Sequence, residues 1–157
     1  MIESELSHLM PELNHSGLLR LQEIMRTRVL VVDDDCDTTE LFRLILEPNS
    51  FEVITANSGE EGIALVQKMA FDVMVVDLLM PGMDGLNVLR KVRQFSKIPI
   101  LILSAVNRPN IAEQALNDGA DDFLVKPLSN GVLIASLNKL TRRARAESNT
   151  RLDNNIP

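Results

Sequence analysis

Short apolar runs rich in β-branched residues alternate with longer segments of helical periodicity from residue 28 onward. The runs occupy 28–33, 51–55, 72–77, 99–103 and 122–126, and three of them are almost continuously apolar. Continuously apolar strands are expected where helices cover both faces of a parallel sheet. Strands that alternate with helices predict repeated βαβ units. The pattern therefore predicts an α/β protein, with a doubly wound sheet of five parallel strands and five helices.

Residues that favour helix termini lie at the ends of the predicted helices. They are Asp35 or Asp37, Ser58, Asp84 and Ser129 at the starts of the first, second, third and fifth helices, and Gly119 at the end of the fourth. Short polar side chains accept hydrogen bonds from the free N–H groups of a first helical turn. Glycine readily adopts the left-handed conformation that ends many helices. Glu61, three residues after Ser58, completes a capping box.

Two flanks lie outside this alternation, so we expect a central domain at residues 27–144. Residues 1–26 form an N-terminal extension with apolar residues at helical spacing, such as Leu18 and Leu21. This spacing predicts a short extra helix, either packed on the domain or used at a dimer or partner contact. Residues 145–157 are polar and predict a flexible C-terminal tail.

Length and charge exclude several classes of protein. The 157 residues suit a single domain, and the net charge of −6 argues against a general nucleic-acid binder. The single cysteine, Cys36, excludes an intrachain disulfide and suits a reducing compartment. The N-terminus is acidic rather than signal-like, and no apolar run is long enough to span a bilayer. We therefore expect a cytoplasmic protein without nucleic-acid or membrane partners.

Reactive side chains lie at the carboxyl ends of four of the five predicted strands. Asp33 ends the first strand and Asp34 follows it, Asp77 ends the third, Ser104 follows the fourth and Lys126 ends the fifth. Ligands of doubly wound sheets bind outside the carboxyl ends of the strands. If the first strand is central, three carboxylates, a hydroxyl and an ammonium converge there.

Such a cluster of carboxylates requires a cation, because several unpaired carboxylates cannot all remain ionised at close range. Oxygen ligands without histidine or cysteine favour Mg²⁺ or Mn²⁺. Mg²⁺ is commonly shared with a phosphate, and a carboxylate can serve as the nucleophile that becomes an aspartyl phosphate. The metal and Lys126 would then neutralise charge on the phosphoryl oxygens.

The stretches VLVVDDD, VVDLLMPGMDG, LILSA and GADDFLVKP resemble the successive signatures of response regulator receiver domains of two-component signalling. The resemblance covers about residues 27–144. It implies the flavodoxin-like strand order 2-1-3-4-5 and a phosphorylation-dependent switch. It also implies a histidine kinase or phosphotransfer protein as phosphoryl donor and a downstream protein target. The residues after 144 are too few for an output domain, so we expect a stand-alone receiver.

The resemblance also implies roles for the acidic residues. Asp77 would be the residue that is phosphorylated, and it would also contact the metal. Asp34 would bind Mg²⁺ directly, Asp33 would act through a metal-bound water, and the backbone carbonyl of Leu79 would be a further ligand. On this interpretation the third aspartate of the run, or Asp37, caps the first helix rather than binding the metal.

Three other residues receive roles from the same resemblance. Ser104 would hydrogen-bond a phosphoryl oxygen, and Lys126 would be the partnering lysine, with a cis bond to Pro127. Phe123 would turn inward with Ser104 when the protein is phosphorylated. The face formed by the fourth helix, fifth strand and fifth helix would then change its dimerisation or partner binding, as a population shift.

Three other functions remain as alternatives. Residues 35–39 fit the D-x-D-x-T nucleophile motif of haloacid-dehalogenase-type phosphatases, but the order of the later acidic pair and lysine is reversed. A receiver fold used purely as a binding module is the second. A flavin-binding domain is the third, and the absence of Trp and Tyr counts against it. We therefore expect no enzyme beyond self-phosphorylation from small donors and self-dephosphorylation.

Overall fold

A computed structural model describes residues 14–153, which form six α-helices and five β-strands. In chain order the elements are α1 His15–Ile24, β1 Thr27–Val32, α2 Cys36–Leu46, β2 Phe51–Ala56, α3 Gly59–Lys68, β3 Val73–Asp77, α4 Gly85–Arg93, β4 Ile100–Ser104, α5 Pro109–Asn117, β5 Asp122–Val125 and α6 Asn130–Asp153. A 3₁₀ turn at Glu47–Asn49 follows α2. The five strands agree with the predicted runs to within one residue at each end.

The sheet has the strand order β2-β1-β3-β4-β5, and every neighbouring pair is parallel. The predicted doubly wound α/β fold and its strand order are therefore confirmed. Because β1 and β3 are neighbours at the point where the strand order reverses, their carboxyl ends open into the crevice that such folds use for ligands.

Successive residues of β1 point to opposite faces of the sheet, and both faces are covered. Leu30 and Val32 pack with α3, α4 and α5, whereas Val29 and Val31 pack with α2 and α6. All four are completely or almost completely buried. This two-sided burial explains why the central strands are apolar at every position rather than at alternate ones.

The predicted helix caps are present. The side chain of Ser58 accepts from the Glu61 N–H, and that of Asp84 accepts from the Asn87 N–H. Ser129 accepts from Val132 N–H, and Gly119 has a φ of +109°, in the left-handed region. In α3 the Glu61 carboxylate accepts from the N–H of Asn57 rather than from that of Ser58, so the capping box closes one residue early.

The flanks differ in part from the expectation. A helix, α1, forms within the extension, and Leu19 and Met25 keep 50% and 61% of their surface exposed. The apolar spacing at residues 1–13 lies outside the described part of the chain.

At the other end, α6 continues past residue 144 to Asp153, because no glycine or proline interrupts it. The flexibility of a tail from residue 145 stays a prediction. Among the described residues, no helix has the length and hydropathy to cross a membrane.

Candidate metal and phosphoacceptor site

Three aspartates meet at the carboxyl ends of β1 and β3. Val32 of β1 pairs with Val76 of β3. The next residue of each chain segment, Asp33 and Asp77, therefore lies beside the other at the carboxyl ends of these two strands. One carboxylate oxygen from each of Asp33, Asp34 and Asp77 lies within 4.8 Å of the others. Asp33 and Asp77 are buried, with 4% and 9% exposure, whereas Asp34 faces solvent. The cluster is therefore a half-buried pocket that opens at its Asp34 side.

Lys126 brings the positive charge of β5 into this pocket. Its Nζ donates to Asp77 Oδ1 at 2.9 Å and lies 3.6 Å from Asp33 Oδ2. The Lys126–Pro127 peptide bond is cis, as predicted. Lys126 and Asp77 are 49 residues apart in the chain, so this contact depends on strand order alone.

The pKa shifts follow from burial and from these neighbours. Burial is the main cause that raises the pKa of Asp33. The hydrogen bond that its carboxylate accepts from the Asp35 N–H lowers this pKa, whereas the negative charge of Asp77 raises it further. Burial acts to lower the pKa of Lys126, but the hydrogen bond and charge of Asp77, together with Asp33, raise it overall. The ammonium is thus held in its charged form beside the carboxylates.

The donor set fits a hard divalent cation. Three carboxylates converge against one ammonium, which leaves excess negative charge in a pocket where two of the acids are buried. All the candidate ligands are oxygens, the donors that Mg²⁺ and Mn²⁺ prefer. A cation at this point would offset the burial that raises the pKa of Asp33.

Asp35 has a structural role. Its carboxylate accepts from the Asp37 N–H at 3.0 Å and from the Thr38 hydroxyl at 2.9 Å, which caps α2. The Thr38 bond is the main cause of a lowered pKa at Asp35. The prediction that Asp35 or Asp37 caps this helix is therefore met by Asp35. The same side chain would be the nucleophile of the phosphatase motif, so the cap counts against that alternative.

Ser104 lies at the end of the neighbouring strand but does not contact the carboxylates through its hydroxyl. The side chain is fully buried, and its Oγ accepts from Val106 N at 2.9 Å and donates to Val106 O at 3.0 Å. Phe123, on β5, is partly buried against the core cluster beneath α4 and α5. The structure thus brings Asp33, Asp34, Asp77 and Lys126 together and leaves Ser104 bonded to its own loop.

Leu79 lies in the loop that follows β3. Its side chain is 56% exposed and offers no polar group. Only its backbone carbonyl could bind a metal, and this is the group that the family resemblance implies. That role stays a prediction.

Two residues at the site were not identified from the sequence. A Cβ at Gly85 would lie 2.5 Å from the carbonyl oxygen of Asp77, so only glycine allows α4 to begin against the end of β3. Asn57 donates through its side chain to the carbonyl of Asp33 at 3.2 Å. The Asp-Gly pair at 84–85 was a visible signal for the glycine, whereas nothing local distinguishes Asn57 from a turn residue.

Comparisons with known proteins agree with this geometry. A family model described as the response regulator receiver domain matches residues 29–138. The transcriptional regulatory protein AfsQ1 of Streptomyces coelicolor is 38% identical over 79% of this chain and 55% of its own length. ResD of Bacillus subtilis is 34% identical over 82% of this chain and 53% of its own length. The chain therefore spans about half the length of these relatives.

Solved structures give the same result. The receiver domain of a Francisella response regulator superposes with a TM-score of 0.73 at 34% identity, over 76% of this chain and 99% of that one. The Vibrio cholerae chemotaxis protein CheY4 gives a TM-score of 0.69 at 33% identity, over 73% of this chain and 98% of that one.

Proposed function

This chain belongs to the response regulator receiver domains, and from that premise we propose that it is a signalling switch phosphorylated on Asp77. The observation that carries the proposal is the contact of the Asp77 carboxylate with Lys126 at 2.9 Å, beside the carboxylates of Asp33 and Asp34. These four side chains supply a nucleophile, a charge-neutralising ammonium and metal ligands within one half-buried pocket.

In the proposed reaction an oxygen of Asp77 attacks the phosphorus of a phosphohistidine on a histidine kinase or phosphotransfer protein. The new O–P bond forms as the N–P bond to the donor histidine breaks, and the imidazole leaves with the bonding electron pair. The Lys126 ammonium exchanges part of its contact with Asp77 for a phosphoryl oxygen, which stabilises the developing charge. A small acyl phosphate can replace the protein donor, with an oxygen as leaving atom.

Asp33, Asp34, Asp77 and the carbonyl of Leu79 are the groups that would hold Mg²⁺ or Mn²⁺. When bound, such a cation supplies positive charge to the phosphoryl oxygens. Asp33 and Asp34 orient the site around it, and the burial of Asp33 and Asp77 limits access of water.

The output is proposed to start at Ser104. To reach a phosphoryl oxygen, its hydroxyl must leave the two hydrogen bonds with Val106, which frees the loop between β4 and α5. Phe123 then repacks toward the space that the loop vacates. The elements α5, β5 and α6 correspond to the fourth helix, fifth strand and fifth helix of the receiver pattern. The face that they form then changes its population of binding-competent conformations. A downstream protein or a second copy reads that change, and no nucleic-acid contact is assigned to these residues.

Intact-protein mass spectrometry after incubation with acetyl phosphate and Mg²⁺ tests the proposal. We expect one phosphoryl adduct on the wild type, and none on Asp77→Ala or when Mg²⁺ is chelated. Asp118→Asn, which removes a surface carboxylate paired with Arg90, is the matched control and should retain the adduct. An adduct that persists in Asp77→Ala would contradict the assignment of the phosphoacceptor. No adduct on the wild type, with no binding of beryllofluoride, would favour a phosphorylation-independent binding module.

A further inference from the structure

A groove lies at the end of the sheet opposite the aspartate cluster. It has a volume of about 340 Å³ and runs between the C-terminal half of α6 and the residues that precede β3 and β4. Its lining combines apolar and polar side chains, among them Phe71, Pro99, Lys97, Arg145, Ser148 and Asn149. Asp72, at one end of it, is roughly 16 Å from Asp77 by the rise of β3. The groove is therefore separate from the phosphoacceptor pocket.

The groove is lined by two cationic side chains, Lys97 and Arg145, and by one acidic side chain, Asp72. Among the side chains that the structure describes, no acidic group forms an ion pair with Lys97 or Arg145. Asp72 also lines the groove, but its carboxylate accepts from the backbone N–H of Arg28 at 2.7 Å. Phe71 and Pro99 add a partly buried apolar surface between these charges. An occupant with carboxylates and large apolar side chains fits this lining.

We propose that the groove binds residues 1–13 of this same chain. That segment, MIESELSHLMPEL, contains three glutamates and neither lysine nor arginine. Its apolar residues include Leu6, Leu9 and Met10. The segment therefore has both the carboxylates and the large apolar side chains that fit the lining of the groove. The pairing places the acidic segment of an acidic protein against its exposed cationic groove, where charge attraction is favourable.

The chain path permits this contact. The guanidinium of Arg145 lies 3.4 Å from the hydroxyl of Thr27, the first residue of β1, so the groove adjoins the point where the N-terminal extension joins the sheet. Helix α1 spans about 15 Å between that point and the segment. Thirteen extended residues reach up to about 43 Å, which is ample for a return path.

Tethering makes even a weak interaction effective. A segment linked through a short helix has an effective concentration of about 1 mM at a nearby site. A groove that binds the free peptide only in that range would therefore be substantially occupied in the intact chain. Because the attraction is between exposed charges, occupancy should fall as the salt concentration rises.

Carbodiimide cross-linking of the full chain, followed by peptide mapping, tests the proposal. The reagent joins a carboxylate to a neighbouring amine, so we expect a link between a glutamate of residues 1–13 and Lys97. Lys91, an exposed lysine on α4 outside the groove, should form severalfold fewer links to the segment. The exposed Lys139–Asp122 pair, at 3.0 Å, is the internal positive control.

Charge reversal on α6 separates groove binding from general attraction. Arg145→Glu should reduce the Lys97 links severalfold, whereas Arg142→Glu, an equal charge change on the exposed part of the same helix, should leave them nearly unchanged. A mixture of ¹⁵N-labelled and unlabelled chains shows whether each link lies within one chain. Links between chains would overturn self-binding in favour of a second copy. Equal linking at Lys97 and Lys91, or no link to residues 1–13, would overturn the proposal altogether.

Discussion

Three adjacent aspartates at the end of β1 have three different environments. Asp33 is buried and accepts a hydrogen bond from the Asp35 N–H at 3.0 Å. Asp34 is exposed and brings an oxygen to the cluster with Asp77. Asp35 turns away to cap α2. The mutual repulsion of the run is thus relieved by Lys126 on one side and by helix N–H groups on the other.

Removing one carboxylate at a time should separate these roles. Asp34→Asn is expected to weaken Mg²⁺ binding by about tenfold or more, because a charged ligand becomes neutral. A tenfold loss corresponds to ~1.4 kcal/mol of binding free energy. Asp35→Asn should change the affinity by no more than about twofold, because asparagine also caps helices and Asp35 is not a ligand. Isothermal titration calorimetry measures both, since the chain has no Trp or Tyr to report binding by fluorescence. Equal losses in the two variants would show that general charge, and not ligation, attracts the cation.

Gly85 is constrained by contact rather than by backbone conformation. Its missing Cβ makes room for the Asp77 carbonyl and for Leu78 Cα, which a Cβ would approach to 2.5 and 2.9 Å. Both neighbours are backbone atoms at or next to the proposed phosphoacceptor, so neither can move without displacing the site.

Gly85→Ala is accordingly expected to lower the free energy of unfolding by about 1–3 kcal/mol, the usual cost of overpacking. Gly131→Ala is the control, because a Cβ there would meet only Ser129 Oγ, at an ordinary contact distance of 4.0 Å, and alanine favours a helix. Urea denaturation followed by circular dichroism should show a loss at Gly85 and no loss at Gly131. Full stability of Gly85→Ala would mean that α4 can shift away from β3 without cost.

At the scale of elements, one arginine on α4 connects this helix to three other elements. Arg93, near the end of α4, donates to the carbonyls of Ile98 and Gly119 at 2.7 and 2.9 Å and to the Asp121 carboxylate at 2.9 Å. The carboxylate of Asp121 also accepts from the Ile100 N–H. The amino ends of β4 and β5 and the end of α5 are therefore tied to α4, while the opposite ends of these strands carry the candidate functional residues.

Arg93→Met should lower the free energy of unfolding by about 2–4 kcal/mol, because it leaves partly buried carbonyls and a carboxylate without their donor. Arg90→Met removes a more exposed arginine from the same helix and its pair with Asp118, and should cost less than about 1 kcal/mol. Chemical denaturation of both variants gives the comparison. If the two losses are equal, the hydrogen bonds of Arg93 contribute no more than an ordinary surface pair.

At the scale of the whole molecule, the proposed functions are divided between the two ends and one side of the sheet. The proposed phosphoacceptor pocket occupies the carboxyl ends of the strands, and the cationic groove lies near the amino ends. The side formed by α5, β5 and α6 exposes Leu116 and Val132, at 48% and 47%. Exposed apolar side chains on the surface that we propose to respond to phosphorylation are suited to contact a partner.

Beryllofluoride, which mimics the phosphoryl group, should therefore increase the apparent size of the protein in size-exclusion chromatography with light scattering. Leu116→Glu should abolish that increase without reducing phosphorylation of Asp77, because the substitution lies on the surface far from the acidic pocket. Leu44→Glu, on the exposed face of α2, should leave the increase intact. Loss of dimerisation in the Leu44 variant instead would assign the interface to the exposed face of α2.

The sequence determined the fold class, the strands and the candidate site residues. Strand identity depends on local runs of apolar residues, and helix ends depend on single capping residues, so both can be identified from neighbouring positions in the chain. The reactive side chains were recognised because each stands at a strand end, and a parallel sheet places such ends along one edge. The length of α6 was underestimated, because polar composition from residue 145 does not by itself end a helix.

The tertiary structure decided what depends on distance between remote parts of the chain. The contact of Lys126 with Asp77 required the strand order, and the demand for glycine at position 85 required the approach of α4 to the end of β3. The bonding of Ser104 to Val106 and the division of labour among Asp33, Asp34 and Asp35 likewise depend on side-chain direction. A sequence specifies residue types and local periodicity. Packing in three dimensions determines which groups are close enough to form hydrogen bonds, to clash sterically or to interact electrostatically.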